Sequence, residues 1–558
     1  MQKIWLKSYP AGVPEDIDGS AYPSLAALFE ESFERYAERS AFECVGKRLS
    51  YRDLDQQSRH FAAWLQSCGI LRGTRIAIML PNLLQYPIAM AGILRAACIV
   101  VNVNPRYTAR ELEHQLRDSG AEVIVVLENC VPTLQSVLKR TSIKHVLVAV
   151  DDEIPDSRDR GLNPKPGATR EIAPPCTISG HLTFGAMLAV SANLLFEPPP
   201  IGPDDIAFLQ YTGGTTGIPK GAILLHRNVI ASLLQYDAWF KPLQKKIPDS
   251  EILISVVALP LYHIYALSAC ALRSVHLGGM AILIPNPRDI PGLVETLRAH
   301  AFHFFPAVTT LHNALLDNPE FATLDFSKFL IAGAGGMPTQ ETVAKRWFEV
   351  TGRPILEGYG LSETAPTAIS NPVTNTAYSG SIGVPMPSTR VSIRDENNEQ
   401  VPLGQAGEIC IKGPQVMAGY WQRPDETAQV MTSDGYFRSG DMGVMDCNGY
   451  IKIVGRKKDL ILVSGFNVYP NEIEDVVANL PGVFEVAAVG VPDPRCGEAV
   501  KLFIVRRDPA LTEVDVLRYC KAQLTGYKRP KYIEFRTELP KTHVGKILRR
   551  ELREPKLK

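Results

Sequence analysis

The hydrophobic positions of this chain predict alternating strands and helices over most of its length. From Arg75, short β-branched runs alternate with segments of helical periodicity, as in RIAIML, PIAMAGILRA, CIVVNV, TARELEHQLRDSG and AEVIVVL. The alternation returns after residue 250, from EILISVVALP to FLIAGAG. Strands that alternate with helices in this way are typical of βαβ units on a parallel sheet. The pattern therefore predicts an α/β fold whose large N-terminal domain contains two doubly wound βα layers.

The pattern changes twice toward the C-terminus. After Tyr378, short strands separated by turn residues, as in RVSIRDENNEQVPLGQAGEICIKG, predict a β-rich subdomain over about 378–456. Beyond residue 456, helices and strands alternate over about a hundred residues, which predicts an independent α+β unit. We therefore expect an N-terminal domain over 1–456 and a small C-terminal domain over 457–558. The charged segment GRKKDLI between them is exposed in character and suited to flexing.

The composition favours a globular protein without a general attraction to nucleic acid. The 558 residues are 45% hydrophobic, and 59 Lys and Arg balance 59 Asp and Glu. An even balance of positive and negative charges gives the protein no overall electrostatic attraction to a polyanion. Residues 521–558 nevertheless hold twelve basic and four acidic side chains. This basic tail predicts either an anionic partner or a solvated charged face, and the sequence leaves both open.

Cysteine usage and hydropathy predict a cytoplasmic protein. The ten cysteines include no CxxC pair and the histidines no HExxH, so we expect reduced thiols and no structural zinc. The longest apolar stretch, residues 86–103, is interrupted by Arg95, and the N-terminus lacks the apolar core of a signal peptide. We therefore expect no membrane span. Peripheral contact with the inner face of the cell membrane stays open.

The segment YTGGTTGIPKG at 211–221 is the most specific local signal. Glycines let the backbone wrap an anion, and the threonine hydroxyls and Lys220 add donors. The segment is not a Walker A loop, because no Ser or Thr follows the lysine. It predicts a phosphate-binding loop of another design, and the alternative is a flexible surface turn.

Four further segments contain side chains suited to a nucleotide. LEGYGLSETAP at 356–366 offers an aromatic ring in Tyr359, a hydroxyl in Ser362 and a carboxylate in Glu363. GYFRSGDMG contains Asp441, VGRKKD contains Arg456, and PKTHVGKILRREL contains Lys546. The glycines of AGAGGMP at 332–338 lack the GxGxxG spacing, which argues against a dinucleotide-dependent dehydrogenase. Taken singly, each of these side chains has a second explanation in core packing or in a surface turn.

In this order, the segments resemble the adenylate-forming superfamily of acyl-CoA synthetases, luciferases and peptide-synthetase adenylation domains. The chain is similar above all to bacterial long-chain fatty-acid CoA ligases, from WLKSYP through ALPLYHIYAL, NPRDIPGLV, YWQRPDET and VSGFNVYPNEIEDVV to GKILRREL. This covers essentially the whole chain, with residues 130–205 the least alike. The resemblance implies ATP, Mg²⁺ and coenzyme A as ligands, and a C-terminal domain that is mobile about a hinge at Lys458.

The resemblance also implies a role for each candidate residue. Ser362 would contact the α-phosphate, and Glu363 and Thr212 would hold the magnesium ion. Asp441 and Arg456 would fix the ribose. Lys546 would be the catalytic lysine that bridges the substrate carboxylate and the α-phosphate during the first step, and His263 would lie beside that carboxylate. The remaining implied roles are passage of the pantetheine thiol at Gly465, adenine binding by Gly335, Gly336 and Tyr359, and phosphate binding by Thr212, Gly213, Gly214, Thr215, Thr216, Gly217 and Lys220.

The implied reaction joins a fatty acid to coenzyme A through an acyl adenylate. The neighbourhood of His263 contains Leu, Tyr, Ile and Ala but no Asp, so we expect a substrate that is apolar beyond its carboxylate, a medium- or long-chain fatty acid. Leu267 stands where some long-chain members have a gating tryptophan. Two alternatives stay open: an acyl-AMP ligase that delivers to a carrier protein, and a non-catalytic acyl-binding protein. A homodimer is also left open.

Overall fold

The structure, a computed structural model, describes residues 3–151, 153–159, 181–212, 219–248, 250–464, 466–541 and 547–553. Within these ranges the strands form four sheets. The strands are β1 Ser40–Cys44, β2 Lys47–Ser50, β3 Arg75–Met79, β4 Ile99–Asn102, β5 Val123–Leu127, β6 His145–Ala149, β7 Leu182–Thr183, β8 Ile206–Tyr211, β9 Gly221–Leu225, β10 Ile254–Val257, β11 Met280–Leu283, β12 Phe304–Ala307, β13 Ile331–Ala334, β14 Ile355–Gly360, β15 Thr367–Ser370, β16 Val384–Pro385, β17 Arg390–Arg394, β18 Ala406–Lys412, β19 Gly419–Tyr420, β20 Phe437–Met445, β21 Ile451–Arg456, β22 Ile461–Val463, β23 Phe466–Val468, β24 Val483–Asp493, β25 Gly497–Arg506 and β26 Tyr532–Arg536.

The helices lie between these strands and have local end signals. Helix α4, for example, begins after Thr108, which accepts a hydrogen bond from the Glu111 amide, and ends at Gly120, whose positive φ of 61° suits glycine. The α-helices are α1 Leu25–Arg35, α2 Tyr51–Ser67, α3 Gln85–Arg95, α4 Ala109–Ser119, α5 Val131–Val137, α6 Phe184–Val190, α7 His226–Gln244, α8 Ile264–Ala266, α9 Arg273–Leu277, α10 Ile290–Arg298, α11 Thr309–Leu316, α12 Glu341–Thr351, α13 Pro424–Val430, α14 Pro470–Ala478, α15 Glu513–Gln523 and α16 Arg549–Arg553. A π-helical stretch, Leu267–Leu272, joins α8 to α9.

The first large sheet has the strand order β19-β9-β8-β4-β3-β5-β6-β7. Strands β8, β4, β3, β5, β6 and β7 run parallel. Strands β9 and β19 pair antiparallel at one edge. A strand such as VIVVL of β5 is apolar on both faces because a parallel sheet is covered by helices on both sides.

The second large sheet has the order β16-β15-β14-β13-β12-β10-β11-β1-β2. Its six central strands, from β14 to β1, run parallel, and antiparallel strands occupy both edges. One apolar core contains side chains from both sheets, including Phe208 of the first and Phe42 and Phe304 of the second. The two predicted doubly wound layers are therefore confirmed.

Two smaller sheets complete the fold. Strands β17, β18, β20 and β21 form an antiparallel sheet over 390–456, where the turn-rich sequence predicts a β-rich subdomain. The last sheet, β23-β22-β25-β24 with β26 beside β25, packs with α14 and α15 around a core of its own. The chain is thus a mixed α/β protein with a large N-terminal and a smaller C-terminal domain. None of the helices in the described ranges combines the length and the apolar character that a membrane span requires.

Candidate active site

The predicted phosphate loop connects two antiparallel strands of the first large sheet. Strand β8 ends at Tyr211, β9 begins at Gly221, and these two residues are register partners. The Thr212 amide donates to the Lys220 carbonyl over 2.9 Å, so both residues lie at the base of the loop. The other predicted loop residues, Gly213, Gly214, Thr215, Thr216 and Gly217, lie outside the described residues.

The Lys220 side chain contacts the segment that contains β19 and α13. Its ammonium forms an ion pair with the Glu426 carboxylate and lies 5.2 Å from the centroid of the Tyr420 ring. The lysine side chain is 35% exposed and the glutamate side chain 31% exposed. The hydrogen bond from Lys220 lowers the pKa of Glu426, so this acid is ionised at neutral pH.

Glu363 is held by the same segment. It lies in the single helical turn Ser362–Thr364 that follows β14, and it is buried, whereas Ser362 is half-buried. The Tyr420 hydroxyl donates to Glu363 Oε1 over 2.7 Å, and the Met417 amide donates to the Glu363 carbonyl over 2.8 Å. Burial, and then the neighbouring Glu363 carboxylate, raise the pKa of Tyr420, so its hydroxyl keeps the proton that it donates. We call Lys220, Glu363, Tyr420 and Glu426 the phosphate cluster.

A second cluster, Tyr359, Asp441 and Arg456, surrounds one buried carboxylate. Asp441 is 4% exposed and is the register partner of Arg456 across β20 and β21. The Tyr359 hydroxyl donates to Asp441 Oδ2 over 2.6 Å, and the Arg456 guanidinium lies 2.9 Å from Asp441 Oδ1. Burial, then Asp441, raise the pKa of Tyr359 well above its usual range. We call these three residues the ribose cluster, after the role that the sequence predicts for Asp441 and Arg456.

The predicted adenine-binding glycines follow β13 and pack against an aromatic ring. A Cβ on Gly335 would lie 3.2 Å from the Tyr265 ring and 3.4 Å from the Gly358 carbonyl, so a side chain there would crowd both. Gly336 has a φ of 85°, which other residues rarely adopt. The backbone after β13 therefore passes close to the Tyr265 ring and to β14 at Gly358.

The backbone before His263 is held by side chains of β8, of α3 and of the loop between β3 and α3. Asn82 donates to the Val257 and Leu259 carbonyls over 2.8 and 2.9 Å. The Tyr86 hydroxyl donates to the Leu261 carbonyl over 2.9 Å, and the Gln210 amide donates to the Tyr262 carbonyl over 2.9 Å. These buried polar bonds fix the backbone that ends at His263, immediately before α8.

Lys458 lies in the short turn that leads into the C-terminal domain. Partial burial, and then the neighbouring Arg456, lower its pKa. The next residue, Asp459, forms ion pairs with Arg549 at 3.8 Å and Arg553 at 3.3 Å, both on α16. The described backbone on either side of the predicted catalytic lysine is closed by a β-bridge between residues 541 and 547. Lys546 itself and Gly465 lie outside the described residues.

Reasoning from the sequence missed two members of the phosphate cluster. Tyr420 and Glu426 belong to GYWQRPDET, a segment that the sequence connects to the site only through the family resemblance. Their partners, Glu363 and Lys220, are distant along the chain, so no local pattern links them. A signal that was available is the acidic first turn of α13, which follows directly on β19.

The comparisons with known proteins identify the family of this chain. The family model described as AMP-binding enzyme matches residues 29–421, and the model of its C-terminal domain matches residues 472–546. A long-chain-fatty-acid–CoA ligase of Escherichia coli O6:H1 is 51% identical over 99% of this chain and 98% of its own length. A long-chain-fatty-acid–CoA ligase of Yersinia pestis is 49% identical over 100% of this chain and 99% of its own length. The crystal structure of ATP-bound MatB from Rhodopseudomonas palustris superposes with a TM-score of 0.82 at 27% identity, covering 95% of this chain and 98% of MatB. The chain therefore belongs to the AMP-binding enzyme family.

Proposed function

We propose that this chain is an AMP-forming long-chain fatty-acid CoA ligase. In the first step, a carboxylate oxygen of the fatty acid attacks the α-phosphorus of ATP, pyrophosphate leaves, and an acyl adenylate forms. In the second step, the thiol of coenzyme A loses its proton and attacks the acyl carbon, and AMP leaves. The relatives of that name, 49% and 51% identical over nearly their full lengths, support the substrate class.

The observation that carries this proposal is the connection between the two clusters. Tyr359 of the ribose cluster and Glu363 of the phosphate cluster lie at the end of β14 and in the turn after it, only four residues apart. Four residues span at most about 14 Å, which suits the length of one nucleoside triphosphate. One ATP molecule can therefore contact both clusters at once, with its α-phosphate between them.

In the proposed complex, each part of the nucleotide is bound by a different group of residues. The β- and γ-phosphates are bound by Thr212, by Lys220 and by the loop that connects these two residues. Ser362 contacts the α-phosphate. Gly335, Gly336 and Tyr359 enclose the adenine, while Asp441 and Arg456 bind the ribose. A buried carboxylate suits two ribose hydroxyls because each hydroxyl donates to one of its oxygens.

The chemistry of Glu363 also fits a magnesium ion. Among the described residues, no three His, Cys, Asp or Glu side chains form a metal-binding group. Mg²⁺ typically binds through one or two carboxylates and completes its shell with substrate phosphates and water. Glu363 is the proposed carboxylate, with the Thr212 hydroxyl beside it, and the ion would neutralise charge on the departing pyrophosphate.

The acid-binding end requires a cation and an apolar channel. Two anions must meet in the first step, so positioning and positive charge supply most of the catalysis. We assign this positive charge to Lys546, and place His263 beside the carboxylate. The side chains that come after His263, among them Ile264 and Leu267, are buried and apolar and suit an alkyl chain.

The second step requires Lys546 to leave so that the pantetheine arm can enter. We propose that the C-terminal domain, residues 457–558, rotates about Lys458 and brings Gly465 to the active site. The ion pairs between Asp459 and α16 support a rigid domain, because they join the start of that domain to its end. The basic residues of 521–558 suit the phosphates of coenzyme A.

Other properties predicted from the sequence stay proposals. A cytoplasmic location, contact with the inner face of the membrane and a homodimer belong to this group. The two alternative functions can be distinguished from the proposed one by the acyl adenylate. A ligase that delivers to a carrier protein would form the adenylate but would not turn over fully with free coenzyme A. A non-catalytic protein would form no adenylate. Lys220, Glu363, Asp441 and Lys546 together favour catalysis.

One panel of substrates tests the proposed function. Saturated acids of increasing length are supplied with ATP and Mg²⁺, with and without coenzyme A, and pyrophosphate, AMP and thioester are measured. Each buried methylene contributes about 0.8 kcal/mol, so we expect kcat/KM to rise about fourfold per methylene until the channel is filled. Preference for acetate or an aromatic acid would contradict the substrate class. Adenylate that turns over only with a carrier protein would favour the alternative ligase.

A further inference from the structure

The ion pair between Lys220 and Glu426 places an acid where a phosphate is expected to bind. Glu426 lies in the first turn of α13, and its carboxylate is in direct contact with the lysine ammonium. A carboxylate and a phosphate oxygen compete for the same ammonium, because both are anionic acceptors. Before a nucleotide binds, the cation of the phosphate loop is therefore already neutralised by a residue of this chain.

Glu426 also has a second cation within reach. Arg423 lies 3.4 Å from Glu426 through Nη1, and its Nη2 lies 3.0 Å from Asp118 Oδ1. Asp118 is fixed in turn by the Tyr211 hydroxyl, which donates to its other oxygen over 2.7 Å. Arg423 is thus anchored independently of Lys220. When Lys220 turns to a phosphate, Glu426 keeps an ionic partner and no charge is left unpaired.

We propose that Glu426 is a positioning residue that competes with the β- and γ-phosphates for Lys220. The glutamate holds the lysine in the free enzyme, passes to Arg423 when ATP binds, and takes the lysine back when pyrophosphate leaves. The inference rests on the proposed function, because it assigns the phosphates to Lys220. The consequence of this competition is weaker binding of pyrophosphate, which favours release of that product before coenzyme A reacts.

The chain contains a matched control for this proposal. Asp425 precedes Glu426 in the same first helical turn, is exposed, and has no ion pair or hydrogen bond among those that the structure describes. Glu426→Gln and Asp425→Asn remove the same charge from the same helix N-terminus. The two variants share any effect on the helix dipole, so their difference isolates the contact with Lys220.

The test measures binding as well as turnover. Inorganic pyrophosphate and an ATP analogue with a non-cleavable α–β bridge are titrated calorimetrically into wild type, Glu426→Gln and Asp425→Asn. Partly exposed ion pairs shift equilibria by about two- to fivefold, so we expect Glu426→Gln to bind both ligands two- to fivefold more tightly. In turnover, the same variant should show a lower KM for ATP and a lower inhibition constant for pyrophosphate, with the KM for the fatty acid unchanged. Asp425→Asn should match wild type.

Further measurements decide the proposal. In a Lys220→Ala background the effect of Glu426→Gln should vanish, and it should shrink at high salt, which screens exposed charges. Equal or weaker pyrophosphate binding by Glu426→Gln, or an effect shared by Asp425→Asn, would overturn the competition. Absence of pyrophosphate binding to wild type would overturn it as well. Wild type that binds pyrophosphate but forms no acyl-CoA would instead contradict the proposed function, and the binding comparison would still stand.

Discussion

The ribose cluster and the phosphate cluster hold their functional groups in different ways. In the ribose cluster the predicted ligand-binding residues bind one another: Tyr359 and Arg456 both contact the buried Asp441. In the phosphate cluster, the described residues Lys220 and Glu363 form no such contact with each other. Lys220 is bound by Glu426 and Glu363 by Tyr420, so each functional group has a separate supporting residue.

This difference indicates which end of the proposed nucleotide site is formed in advance. Asp441 is buried and bound on both oxygens, so its position is set before ATP arrives. Lys220 is partly exposed, and its partner is an acid that a phosphate can replace. A fixed nucleoside site and an exchangeable phosphate site suit an enzyme that must release pyrophosphate while it retains the adenylate. Single substitutions in the two clusters should therefore differ in the size of their effects.

The largest effect is expected at a residue that belongs to neither cluster. Lys546→Ala should slow adenylate formation by roughly 10² or more, the loss typical of a removed transition-state donor, because the attacking carboxylate then lacks its cation. Preformed acyl adenylate should still react with coenzyme A. Fatty-acid-dependent exchange of labelled pyrophosphate into ATP measures the first step, and thioester formation from synthetic adenylate measures the second.

Lys541→Ala is the matched control for Lys546→Ala. It removes a nearby lysine of the same segment, whose ammonium pairs with Glu485 rather than with substrate. We expect its exchange rate to stay within about twofold of wild type, the size of a lost surface ion pair. An intact exchange rate in Lys546→Ala would show that the reacting carboxylate relies on a cation of the two clusters.

The next largest effect is expected in the ribose cluster. Asp441→Asn removes the charge that binds Arg456 and the proposed ribose hydroxyls, while the side chain keeps its size. A hydrogen bond to a charged group contributes about 2 kcal/mol, so the KM for ATP should rise about thirtyfold. Steady-state kinetics with varied ATP and saturating fatty acid measure this change.

Glu408→Gln separates this binding effect from a loss of stability. Glu408 is also a buried carboxylate of the β-rich sheet, and it contacts Arg438 at 2.9 Å and Lys457 at 3.3 Å. We expect both variants to lower Tm, because each removes a buried negative charge that contacts a half-buried arginine. Only Asp441→Asn should raise the KM for ATP strongly. Similar KM values in the two variants would contradict a ribose site at Asp441.

The fold was predictable from the sequence to a greater extent than the contacts of the site. Runs such as VIVVL predict parallel strands because helices cover both faces of the sheet, and the structure contains such strands. Asp441 and Arg456 lie in recognisable segments, yet their pairing depends on the register between β20 and β21. The pairing of Lys220 with Glu426 joins residues far apart in the chain, and hydrophobic periodicity contains no information on such a contact.

The smallest loss of activity is expected in the phosphate cluster, at Tyr420. Tyr420→Phe removes the hydroxyl that donates to Glu363 over 2.7 Å and keeps the ring beside Lys220. Tyr420 acts on the nucleotide only through Glu363, so we expect a smaller loss than for a direct contact, about 1 kcal/mol. This loss corresponds to a fall of about fivefold in kcat/KM for ATP, and more Mg²⁺ should be needed for half-maximal activity. Tyr436→Phe, which removes a hydroxyl from a buried tyrosine packed on Arg394, is the control and should leave both values unchanged. The loss of kcat/KM for ATP in Tyr420→Phe could instead be as large as that in Asp441→Asn. The supporting residue Tyr420 would then matter as much as the buried carboxylate of Asp441. That result would mean that the phosphate cluster is formed in advance as rigidly as the ribose cluster.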